Sequence, residues 1–138
     1  MSAKDKYHEH VKDALIKDGW EITHDPYRLD LGKFSYEIDL GAEKLIGAEK
    51  EHQKITVEVK SFLRESIVSE HHIVVGQYIN YRIHLRDSDV ERVLFLAISM
   101  DAYERLKELP PLLKSFDECM IKFIIVDVDS RKIVTWKK

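Results

Sequence analysis

Asp39, Glu58 and Lys60 are the residues of this chain whose types and spacing could do chemistry. Glu58 and Lys60 stand two apart in "ITVEVKSF" (55–62), so in a strand both point to one face while Ile55, Val57 and Val59 point to the other. Asp39 alternates in the same way in "FSYEIDLG" (34–41), sharing a polar face with Glu37 and opposing Tyr36, Ile38 and Leu40. Paired as antiparallel neighbours, the two stretches would bring Asp39 and Glu58 close enough to share a ligand. Two carboxylates so placed suit a hard cation such as Mg²⁺, with Mn²⁺ as its substitute. Such a cation polarises a phosphate and activates water, and a nearby lysine orients the nucleophile or balances developing negative charge. The spacing therefore permits metal-dependent phosphodiester hydrolysis. The same alternation also describes a half-buried strand with a solvated face and no chemistry at all.

The elements that must position these groups can be read along the chain. Residues 4–18 have the spacing of an amphipathic helix stopped by Gly19. Measured from Val11 at its apolar centre, His8 lies about 60° round the helix and Glu9 about 160°. His8, rather than Glu9, is the polar group this helix would offer at the edge of an inner site. "WEITHDPYRLDLGKF" predicts a short strand with turns at Asp25-Pro26 and Gly32. The strand carrying Asp39 is expected to run past a bend at Gly41 toward Lys50, and "KEHQK" to turn the chain back. Residues 70–86 read as a second helix, and "RVLFLAIS" (92–99) as a buried central strand. "DAYERLKEL" predicts a short helix capped by Asp101 and ended by Pro110-Pro111. "MIKFIIVDVD" and "RKIVTWKK" predict two last strands around Asp129-Ser130. The expectation is one α/β domain over 1–138.

Bulk composition narrows the function classes. The formal net charge is −3, so any DNA contact needs local basic patches. Lys60 with Arg64, and Arg82 with Arg86 at i, i+4, are such patches, and Lys137-Lys138 is a third. Each is equally ordinary solvated surface. Tyr78, Phe62 and Trp136 could stack on bases, although packing is the better default. Cys119 is the one cysteine, which excludes an internal disulfide and predicts a reducing, cytoplasmic setting. No stretch is long enough to span a membrane, so none is expected as a partner. The seven histidines lack zinc-ligand spacing, and Cys119 before "MIKF" reads as a core residue of a strand.

Gln77 and Tyr81, four apart in "QYINY", share one face of the second helix and could bond a phosphate or a base, or simply pack. Asp39, "EVK" (58–60) and "QYINY" in this order resemble the PD-(D/E)xK nuclease superfamily, in its branch with a Q-x-x-x-Y helix. That resemblance implies a restriction-endonuclease-like core, a mixed central sheet flanked by helices. It implies Asp39 and Glu58 as metal ligands and Lys60 as the catalytic lysine, with Gln77 and Tyr81 shaping the site. Ile38 stands where the superfamily name has proline, and the carboxylate that many members carry on the first helix has no match.

Across nearly the whole chain, "KDGWEITHDPYRL", "IDLGAEKLIGAEK", "VEVKSF" and "VGQYINYR" resemble the signature segments of the XisH family. These excision-controlling factors are associated with removal of a DNA element from cyanobacterial chromosomes. The resemblance implies a factor in site-specific DNA recombination that works beside a small XisI-like companion protein. It leaves two readings: an endonuclease-like factor acting on DNA, or a catalytically silent assembly module of the same fold. A scaffold with no DNA contact is a third. Self-association would suit Ile73, Val74 and Ile79 if they prove exposed.

Overall fold

Apolar residues alternate along 55–59 and run unbroken over 93–98 and 123–126, and these stretches form the middle of one sheet. The computed structural model describes residues 4–46 and 51–138. In chain order the elements are α1 (His8–Lys17), β1 (Glu21–His24), β2 (Tyr27–Asp30), β3 (Ser35–Ile38), β4 (Leu40–Ile46) and β5 (Glu51–Val59). They continue with α2 (Ile67–Ser88), β6 (Arg92–Ser99), α3 (Met100–Lys107), α4 (Pro110–Glu118), β7 (Phe123–Asp127) and β8 (Lys132–Lys137). Six strands form a mixed sheet in the order β1-β4-β5-β6-β7-β8. β5, β6 and β7 run parallel, joined by helical crossovers, whereas β1, β4 and β8 join antiparallel at the flanks. β2 and β3 form a separate hairpin.

Helices cover both faces of the sheet. On one side Val11, Ala14 and Leu15 of α1 pack on Ile55, Val57 and Val59 of β5 and on Phe95 and Ala97 of β6. On the other, Val74, Tyr78, Tyr81 and Leu85 of α2 pack with α3 and α4 on Leu94, Leu96 and Ile98. β6 is apolar on both faces because both are covered, which explains its unbroken hydrophobic run.

The structure corrects the sequence reading in four places. Asp39 breaks the strand: β3 pairs with β2, and β4 starts afresh against β5. Ile38 consequently enters the α2-side core and Leu40 the α1-side core, rather than the two sharing a face. His52, Gln53 and Lys54 of "KEHQK" are paired in β5 instead of turning the chain back, and Lys50 lies outside the described residues. Ser99, not Asp101, caps α3, its hydroxyl accepting from the Ala102 N–H at 3.0 Å. Pro110 and Pro111 begin α4, where a missing N–H and a preset φ cost nothing, and Cys119 closes that helix instead of opening a strand.

Candidate functional site

The end of β5 meets Asp39 because of register. Leu40 pairs with Val57, so one step further on Asp39 lies across from Glu58. Backbone bonds lock the two carboxyls in place. The Val59 N–H donates to Asp39 Oδ2 at 2.8 Å, and the Asp39 N–H donates to Glu58 Oε1 at 3.3 Å. Lys60 lies just past β5, where its N–H donates to the Ala97 carbonyl and holds the chain beside β6. Its Nζ stands 3.8 Å from Glu58 Oε2. Two residues later Phe62 is fully buried at φ 54°, a conformation that costs a bulky residue energy and is kept by the packing around it.

These groups open onto a cleft of about 520 Å³. Asp39, Glu58, Lys60, Gln77 and Tyr81 all line it, so the chain brings together five residues from three separated segments. Tyr81 packs edge-on against Tyr36 with ring centres 5.2 Å apart. The Gln77 Oε1 atom is buried with no hydrogen-bond partner among the described residues.

Electrostatics set the site apart from a solvated strand face. Glu58 is 6% exposed, buried rather than wet. Burial pushes its carboxyl well above the ordinary glutamate range, and the adjacent Asp39 charge adds to the push. Lys60 and the Asp39 N–H oppose it without prevailing. Burial, with the charges of Glu58 and Asp39, likewise raises Tyr81, so its hydroxyl stays a proton donor. Two carboxyls pressed together at the cost of ionising one fit a divalent cation, which would relieve the repulsion through hard oxygen donors.

His8 reaches the same place from the α1 side. Its ring is 2% exposed, and Nδ1 stands 3.8 Å from Asp39 Oδ1. Nε2 is 2.7 Å from Asp25 Oδ1, and the Lys12 Nζ donates to Asp25 Oδ2 at 2.7 Å. Burial alone would raise Asp25, but the bonds from Lys12 and His8 outweigh it and hold that carboxyl below its usual range. Among the described residues, His8, Glu9 and Asp25 form the set of three whose ligand atoms all lie within 4.8 Å of one another. The Lys12 ammonium already neutralises that group, and Glu9 faces outward toward Lys4.

Other expectations fall differently. Arg64 lines the cleft, but Arg82 and Arg86 line a separate pocket of about 430 Å³ with Val90 and Met120. Tyr78 and Phe62 are core, which removes them as base-stacking surfaces, and the half-buried Trp136 packs on Trp20 and Phe95. Val74 is buried, so of the three apolar residues considered for self-association only Ile73 is well exposed. Asp5 and Glu70 also line the cleft and escaped the sequence reading. Asp5 bonds the Tyr7 and Ser61 N–H groups at 2.9 Å each, tying the start of α1 to the strand end. Glu70 was findable, since it stands seven residues before Gln77 and hence on the same helix face. Asp5 carried no such signal, because its partner Ser61 is far along the chain.

The sequence matches the family described as "XisH protein" over residues 1–134. The chain belongs to the XisH family. Among solved structures it resembles an XisH family protein from Nostoc punctiforme PCC 73102, with 41% identity, 97% of this chain and 100% of that one covered, and a TM-score of 0.87. It also resembles an fdxN element excision controlling factor protein from Anabaena variabilis, with 38% identity, 96% and 98% coverage, and a TM-score of 0.84. No curated protein matches it. Among the described residues no helix is long and apolar enough to cross a membrane.

Proposed function

We propose that this XisH family member acts in the excision of a DNA element or its control, through a nuclease-like site of the PD-(D/E)xK kind. The observation that carries the reading is the hydrogen-bonded pair of Asp39 and Glu58 at the end of β5, with Lys60 3.8 Å from Glu58, in a cleft that Gln77 and Tyr81 also line. The similarity to an fdxN element excision controlling factor protein supplies the DNA context. In this reading Asp39 and Glu58 hold Mg²⁺, or Mn²⁺ in its place, and the ion supplies phosphate polarisation and water activation. Lys60 balances negative charge on the phosphate. The protonated Tyr81 hydroxyl donates to a phosphate oxygen, and Lys4 and Arg64 at the rim take neighbouring backbone phosphates.

A second reading rests on Leu63 and Ile73, two exposed apolar side chains that also line the charged cleft. They suit contact with a protein, such as a XisI-like companion, and make the same fold an assembly module.

The test is a cleavage assay on supercoiled, linear and branched DNA, with the protein alone and with its companion, in Mg²⁺, Mn²⁺ or chelator. Metal-dependent cutting lost in Asp39→Ala and Glu58→Ala is the expected result. No cutting on any substrate, with no metal binding by calorimetry, would move the assignment to the assembly module. DNA affinity that does not fall with salt would exclude phosphate contacts.

A further inference from the structure

The two most exposed large apolar side chains among the described residues, Val90 at 78% and Met120 at 71%, border one pocket. It is the pocket of about 430 Å³ that Arg82 and Arg86 line, and Tyr78, Leu85 and Leu94 form its buried floor. Met120 stands there at φ 54°, one residue past the Cys119 cap of α4, where glycine is the residue that adopts such a backbone freely. A methionine bears the cost of that conformation, and with most of its side chain in water it gains little packing in return. The turn is nonetheless firmly held. Arg82 Nη1 donates to the Cys119 and Met120 carbonyls at 2.6 and 3.3 Å, and the Ile121 N–H donates to the Phe116 carbonyl at 2.9 Å.

Charge around the pocket has one sign. Arg82, Arg86, Arg92 and Lys122 line it, and among the described residues no acidic side chain does. Arg92 is neutralised by Asp89 and Glu43 at 2.9 and 3.5 Å, whereas among the described residues no ion pair engages the other three. In a chain of net charge −3, this patch runs against the overall sign.

We propose that this pocket docks a segment of a partner protein in which an apolar side chain is flanked by carboxylates. The apolar side chain enters between Val90 and Met120 onto Leu85 and Leu94, and the carboxylates meet Arg86 and Lys122. Methionine and arginine are enriched in protein interfaces, and the flexible thioether adapts to what it meets. A nucleic-acid backbone would satisfy the cations but leave the apolar rim and floor without a partner. The pocket lies by the start of β6 and the carboxylate cleft by the end of its parallel neighbour β5, and the two share no lining residue. Docking here is therefore independent of whether Asp39 and Glu58 bind metal.

The test is selection of random peptides displayed on phage against the full chain, then fluorescence anisotropy with fluorescein-labelled synthetic copies of the selected peptides. The expected consensus is one large apolar residue with Asp or Glu on both sides. Its affinity falls with salt, and falls roughly tenfold or more in Met120→Gly and in Arg86→Glu. Met120→Gly relieves the backbone cost while removing the rim, so it should melt close to the wild type and its lost binding is not lost fold. No selected consensus, a consensus without acidic residues, an affinity indifferent to salt, or binding that either variant leaves unchanged would overturn the proposal. With no peptide selected, self-association lost in Met120→Gly by sedimentation would assign the face to a second copy of this chain. Affinity for a DNA oligonucleotide lost in both variants would assign it to nucleic acid instead.

Discussion

Replacing Glu58 by Gln should change how stability depends on pH, in a direction set by the burial of that side chain. In the unfolded chain Glu58 ionises near the ordinary value of 4.5, while in the folded, metal-free protein burial and Asp39 hold its proton to higher pH. Between those two points the folded state binds more protons, so unfolding free energy falls as pH rises. The contribution of this group is fully present below pH 4.5 and is lost as pH climbs through the folded value. One proton sets the steepest slope at about 1.4 kcal/mol per pH unit, equivalent to roughly 3–5 °C in melting temperature for a chain of this size. Glu58→Gln removes the titration, so the variant gains on the wild type as pH rises from about 4.5. Urea denaturation of both proteins from pH 4 to 8 in chelator measures this difference. Saturating Mn²⁺ or Mg²⁺ should reverse the ranking, because an ion that binds the carboxylate stabilises only the wild type. Parallel curves in chelator, or a wild type that gains on the variant with pH, would refute the reasoning and make Lys60 the dominant influence on Glu58.

Further outcomes follow from the packing. Arg92 is buried, bonds Asp89 and the Ile55 carbonyl and lies over the Tyr27 ring, so Arg92→Ala should cost about 3 kcal/mol in urea denaturation. Arg131→Ala removes an exposed pair with Asp13 and should cost under about 1 kcal/mol. A Cβ at Gly41 would stand 3.0 Å from the His24 side chain and 3.1 Å from the Tyr27 ring, so Gly41→Ala should lose about 1–3 kcal/mol. A Cβ at Gly76 meets nothing within 4 Å, and Gly76→Ala should gain about 0.5–1 kcal/mol in the same measurement. Ser99→Ala should cost about 1–2 kcal/mol as the loss of the α3 cap, and Asp101→Ala under about 0.5 kcal/mol; equal effects would contradict the assigned cap.

What the sequence by itself determined is local and periodic. The alternation of Ile55, Val57 and Val59, the apolar run at 92–99 and the helical spacing around Gln77 and Tyr81 each identify an element, because a strand or helix repeats every 2.0 or 3.6 residues whatever surrounds it. Its segments also carried the resemblance to the XisH family, which the whole-chain match bears out. Where proline began a helix instead of only ending one, local preference was ambiguous, since the same residue suits both positions. Tertiary structure alone decided which faces are dry. Glu58 reads as solvent-facing from its neighbours and is buried in the wall of a cleft that Gln77 and Tyr81 of α2 also line. Asp39 reads as one residue of a continuous strand and is the break between two pairings, which sends Ile38 and Leu40 to opposite cores. His8 gains its place beside Asp39 only because α1 packs across β5. Side-chain period is a property of a few neighbouring residues, whereas burial and charge proximity depend on segments brought together from 17 to 56 positions apart, such as His8 with Asp25 and Asp5 with Ser61.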